Sequence, residues 1–92
     1  MRVAAAIEDK LTSALQPIRL SIVDESHKHR GHAGARPEGE SHFRVEIVSA
    51  AFEGKSRIER QRMTYAALSD EMTTDIHALA LKTLTPDEDA GT

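Results

Sequence analysis

The 92-residue sequence has no cysteine and no tryptophan, and Phe43, Phe52 and Tyr65 are its only phenylalanine and tyrosine residues. Without a thiol, the chain by itself can form no disulfide, no thiolate nucleophile and no cysteine-ligated zinc or iron–sulfur centre. An iron–sulfur centre here would need thiolates from a partner. With so few aromatics, the core must be built from Ile, Leu, Val, Met and Ala. Hydrophobic residues make up only 39%, and a chain of this size buries a modest core with little room for a deep cleft. No stretch approaches the ~18–20 consecutive apolar residues of a membrane span. The start lacks the charged-then-apolar layout of a signal peptide. The expectation is a cytoplasmic protein with no membrane contact. The net charge of −3 gives no overall field that favours nucleic acid, which leaves only a local basic patch.

Histidine, by contrast, is concentrated. Four of the five histidines, His27, His29, His32 and His42, fall within residues 24–43. Gly31, Gly34, Pro37 and Gly39 in the same stretch forbid a regular helix or an interior strand. Loops beyond roughly 12–15 residues are usually functional or disordered. Imidazole is the commonest protein metal ligand, so metal coordination is the leading reading of this loop. A solvated polar loop is the alternative.

The rest of the chain reads as one domain over residues 1–92, with 1–2 and 87–92 frayed. Val3, Ile7, Leu11 and Leu15 recur at helical spacing, which predicts an amphipathic helix over 3–15, ended by Pro17. Residues 18–24 alternate, with Ile18, Leu20 and Ile22 on one side. Residues 42–49 alternate again, with Phe43, Val45 and Ile47 inward and His42, Arg44 and Glu46 outward. Two such strands form an antiparallel pair with an oversized connection. A turn follows at 52–55. Ser56 and Glu59 form the capping-box pattern S-x-x-E, so a helix starts there and runs to about Met72, with Ile58, Tyr65, Leu68 and Met72 as its apolar stripe. A third strand covers 76–84, with His77, Leu79 and Leu81 on one face, and an acidic tail follows Pro86.

The connection from the second strand through this helix to the third has the form of a βαβ crossover, which joins parallel strands. Parallel strands start at the same edge of a sheet. The histidine loop leads into the second strand and His77 opens the third, so loop and His77 should converge.

The segments DES, GESHFRVEIVSAAFEGKS, ERQRMTYAALSDEM and HALALKTLTP together resemble the BolA family, from about residue 11 to 86. The resemblance implies an α+β, class II KH-like αββαβ domain with a three-stranded mixed sheet packed on helices. It further implies two roles. One is iron–sulfur assembly or trafficking, in which a 2Fe–2S cluster is shared with a monothiol glutaredoxin that supplies its Cys and a bound glutathione. The other is transcriptional regulation through DNA contact. By motif, His77 is the strand-borne ligand and the second ligand comes from the loop, His32 ahead of His29. Two features depart from the family pattern: Gln61 stands where the family usually has His, and the tail lacks a Trp often found after the final Thr-Pro.

His42 reads as a group that orients a ligand through a hydrogen bond. Lys55, Arg57, Arg60 and Arg62, in the turn and helix 54–62, form the candidate nucleic-acid surface, or else a solvated helix face. Catalysis is not expected, because a hydrolytic zinc site needs three ligands, a base and a cleft. Alone, the chain is expected to be a monomer.

Overall fold

The computed structural model describes residues 2–25 and 42–91. The elements follow in the order α1 (Arg2–Leu15), β1 (Arg19–Asp24), β2 (His42–Val48), a 3-10 turn (Ala50–Phe52), α2 (Arg57–Ala67), α3 (Ser69–Thr74), β3 (Ala78–Leu84) and α4 (Pro86–Ala90). The sheet order is β1-β2-β3. β1 pairs antiparallel to β2, with Leu20 opposite Ile47 and Ile22 opposite Val45. β2 pairs parallel to β3, with His42 opposite Ala78 and Val48 opposite Leu84. The architecture is the expected α+β one, a mixed three-stranded sheet packed on helices.

The α1 stripe is buried as its spacing requires: Val3, Ile7, Leu11 and Leu15 pack against Phe43, Val45, Ile47, Phe52, Leu68 and Ile76. Gln16 leaves the helix at φ 46°, a left-handed conformation common just beyond helix ends. The fully buried Ser49 locks this corner, its hydroxyl donating to the Leu15 carbonyl and accepting from the Ala51 N–H.

The predicted capping box is present. Glu59 N–H donates to Ser56 Oγ at 3.1 Å, and Ser56 N–H donates to Glu59 Oε1 at 2.9 Å. These bonds hold the Glu59 carboxyl below its ordinary pKa, the Ser56 backbone N–H contributing most. Gly54, at φ 78°, takes the positive φ that a side chain disfavours.

Four expectations are corrected. First, the helix does not run unbroken to Met72. It breaks at Leu68 (φ −106°, ψ 19°), whose N–H is shared between the Thr64 and Tyr65 carbonyls. Thr64 Oγ1 also bonds back to the Arg60 carbonyl, a contact that loosens and bends helices. Asp70 and Glu71 then sit in the first turn of α3, where negative charge favours a new start, and both pair with Lys10 of α1. Second, two members of the expected stripe are not buried, although Leu68 and Met72 reach the core as expected. Ile58 is 62% exposed and Tyr65 lies on the surface, while Thr64 and Leu68 are buried. Third, Ile18 is 67% exposed, because it comes before the pleat of β1 begins. Fourth, residues 86–90 of the tail form α4, with a second capping box between Thr85 and Glu88 and Pro86 in its first turn.

α4 is also anchored by charge. Arg60 Nη1 and Nη2 reach the two Glu88 oxygens at 2.7 and 3.3 Å, and Arg19 reaches Asp89 at 2.7 Å. The Arg60 guanidinium holds the Glu88 carboxyl below its usual range. Asp89, followed by Glu46, raises the Arg19 pKa.

Candidate functional site

The parallel β2–β3 pairing fixes the site. Because His42 lies opposite Ala78, the residue before β3 sits beside the first residue of β2. The His42 and His77 rings are 5.3 Å apart, centroid to centroid, and inclined at 49°. His77 is exposed, whereas His42 is buried at 6%. His42 was expected to face outward. Glu25 N–H donates to its carbonyl at 2.7 Å, and the His77 ring lies beside its own. One imidazole is thus held in the fold and a second, beside it, faces solvent.

His27, His29 and His32 lie outside the described residues. Among the described residues, no three His, Asp or Glu side chains gather closely enough to hold a metal ion by themselves. Of the two imidazoles described, His77 is the exposed one, and it fits a shared metal group whose remaining ligands come from elsewhere.

The basic residues divide into two kinds. Arg60 belongs to the fold. Its side chain is only 13% exposed, it pairs with Glu88, its Nε donates to the Lys55 carbonyl and its Nη1 to the Thr83 carbonyl, and its guanidinium lies 6.0 Å from the Phe52 ring centroid. An Arg in an R-x-R pair on a helix reads as solvated. The signal that it is not lies in Glu88, one turn into a helix the sequence also encodes. Lys55, Arg57 and Arg62 are exposed, and among the described residues they are the cations with no carboxylate within 4 Å. They cluster where α2 begins, away from the histidines.

A small α+β domain with a parallel strand pair, a histidine couple at one end and a basic helix start at the other is the class of protein these features define. Residues 11–88 match the family model "BolA-like protein", and the chain belongs to the BolA family. It is 46% identical over 85 residues to the DNA-binding transcriptional regulator BolA of Escherichia coli, covering 92% of this chain and 77% of that protein. It is 42% identical over 87 residues to the chloroplastic protein BOLA1 of Arabidopsis thaliana, spanning about half (54%) of that relative's length. The solved BolA domain of SufE1 from Arabidopsis thaliana superposes with a TM-score of 0.83 at 41% identity, covering 92% of this chain and 93% of that one.

Proposed function

We propose that this chain shares a 2Fe–2S cluster with a monothiol glutaredoxin and serves in cluster assembly or trafficking. The observation that carries the reading is the His42–His77 pair at the end of the sheet where the histidine-bearing segment 26–41 rejoins β2. His77 is the exposed ligand at the entry to β3. His32, with His29 as substitute, is the second. His42 packs against His77 and positions its ring. The partner's Cys and a bound glutathione supply the two thiolates that this cysteine-free chain lacks. When bound, the cluster supplies redox-active iron whose potential rises with imidazole ligation.

The test is anaerobic reconstitution with a monothiol glutaredoxin, glutathione, iron and sulfide, followed by visible circular dichroism and sizing. The expected result is a heterocomplex whose spectrum differs from that of the glutaredoxin homodimer. His77→Ala should abolish it. His32→Ala should weaken it, and His29→Ala combined with His32→Ala should approach the His77→Ala result. A wild-type spectrum from the His77→Ala protein would overturn the assignment.

A second reading, DNA contact, is favoured by the likeness to the DNA-binding transcriptional regulator BolA of Escherichia coli and by the clustered cations Lys55, Arg57 and Arg62. Its affinity would fall steeply with salt through counterion release. A mobility shift that Arg57→Ala and Arg62→Ala weaken, with thermal stability unchanged, supports it. A shift indifferent to both changes and to salt overturns it.

A further inference from the structure

β3 is an edge strand, and its outer edge is guarded at two points. The Ser49 N–H donates to the Leu84 carbonyl, so Leu84 directs its backbone polar groups toward β2. By the alternation of a strand, Lys82 and Ala80 do the same, and Leu79, Leu81 and Thr83 direct theirs outward. Two of the three outward carbonyls are already met from α2: the Tyr65 hydroxyl donates to Leu79 and Arg60 Nη1 to Thr83, each at 3.4 Å. Leu81 lies between these guards. There a notch of about 370 Å³ opens, lined by Arg57, Gln61, Leu81, Lys82, Thr83 and Leu84.

The two charged side chains that line the notch, Arg57 and Lys82, are both cations. Arg57 stands on the α2 side with no carboxylate near it. Lys82 is 64% exposed and reaches Glu46 only at 3.9 Å. The arrangement offers one backbone N–H, one backbone C=O and a cation on either side.

We propose that this notch takes an acidic peptide segment in extended conformation, added as a short strand to β3 at Leu81. An added strand pairs through its main chain and alternates its side chains between two faces. One acidic residue would meet Arg57 on the helix side and its immediate neighbour would meet Lys82 on the open side, so two consecutive acidic residues are read together. Gln61 supplies an amide that can both donate and accept. A nucleic-acid backbone fits less well, because phosphodiesters offer only acceptors and leave the Leu81 carbonyl unmet. The guards at Leu79 and Thr83 keep the added strand short.

The probe is a capped heptapeptide with a central Asp-Glu flanked by Val and Thr, titrated into the full chain and followed by amide chemical shifts. Three further probes are its Asn-Gln analogue, a version N-methylated at the central residues, and a ten-residue oligothymidine. Amide shifts should centre on residues 79–83, with slowed hydrogen exchange at Leu81. Arg57→Glu and Lys82→Glu should each weaken the Asp-Glu peptide about fivefold, the scale of one exposed ion pair, without changing the thermal midpoint. The Asn-Gln and N-methylated peptides should bind more weakly still. Equal binding of the N-methylated peptide would overturn strand addition. Shifts at these amides from oligothymidine but not from the peptide would overturn the peptide assignment in favour of nucleic acid. Histidine variants do not touch this surface, so its failure is separable from failure of the cluster reading.

Discussion

Phe52→Ala should be among the most damaging substitutions in this domain. Phe52 is fully buried at the end of the 3-10 turn, packed with Ile7, Leu11, Ile47 and Leu68. Replacing a buried Phe by Ala removes its transfer free energy and leaves a cavity, at a cost of about 3–5 kcal/mol. A domain of this length is stable by roughly 5–14 kcal/mol in total, so the change takes a large share. At ~4–8 °C per kcal/mol for a chain of this size, the melting midpoint should fall by about 12–40 °C. Phe52 also underlies the Arg60 guanidinium at 6.0 Å. A cycle with Arg60→Ala should therefore show coupling of about 0.5–1 kcal/mol. The assay is calorimetry with denaturant unfolding at constant m-value. A loss under about 1 kcal/mol would refute the packing described. Full additivity with Arg60→Ala would refute the ring–guanidinium contact.

Gln16→Gly should leave stability unchanged or raise it by up to about 1 kcal/mol, because glycine takes the φ of 46° without side-chain strain; a clear drop in chemical-denaturation midpoint would contradict the strain. Glu88→Gln should flatten the acid dependence of stability. The Glu88 carboxyl is held below its ordinary value by Arg60, so its contribution is present above the unfolded pKa of ~4.5 and lost as pH falls through the folded value. Melts at about pH 5 and pH 3 should therefore differ more in the wild type than in the variant; equal slopes would argue against the ion pair. Ser56→Ala should cost about 1 kcal/mol through loss of the α2 cap, read as a lower thermal midpoint.

What the sequence showed and what it hid follow physical lines. Local periodicity placed α1 and β2 closely, because a buried stripe constrains nearly every second or fourth residue. The Ser56–Glu59 box marked the start of α2, because that signal is built from neighbours in the chain. The same signal at Thr85 and Glu88 was available and marks α4, although the acidic composition there reads as a solvated tail. Arg60 was misread for a different reason. Its partner Glu88 lies 28 positions away, and a helix charge looks solvated until the opposite charge is folded onto it. The break at Leu68 likewise depends on tertiary contacts, with Lys10 drawing α3 toward α1. At the site, the parallel crossover was legible from strand–helix–strand order, and it brings the end of β2 that follows residues 26–41 beside His77. The burial of His42 was not legible, since the His77 ring beside it comes from a distant part of the chain.

The fold keeps its two candidate surfaces apart. His42 and His77 stand at the N-terminal ends of the parallel strands, and the cations follow the C-terminal end of β2, where α2 begins beside Leu84. Seven paired residues at ~3.3 Å each separate the two ends by about 20 Å. At that distance screening at physiological salt removes most direct charge coupling. His77→Ala should leave binding at the α2–β3 notch within error of wild type, measured by the same amide titration. A change there would mean that β3, or α2, which bonds to β3 at both Leu79 and Thr83, shifts when the histidine end is altered.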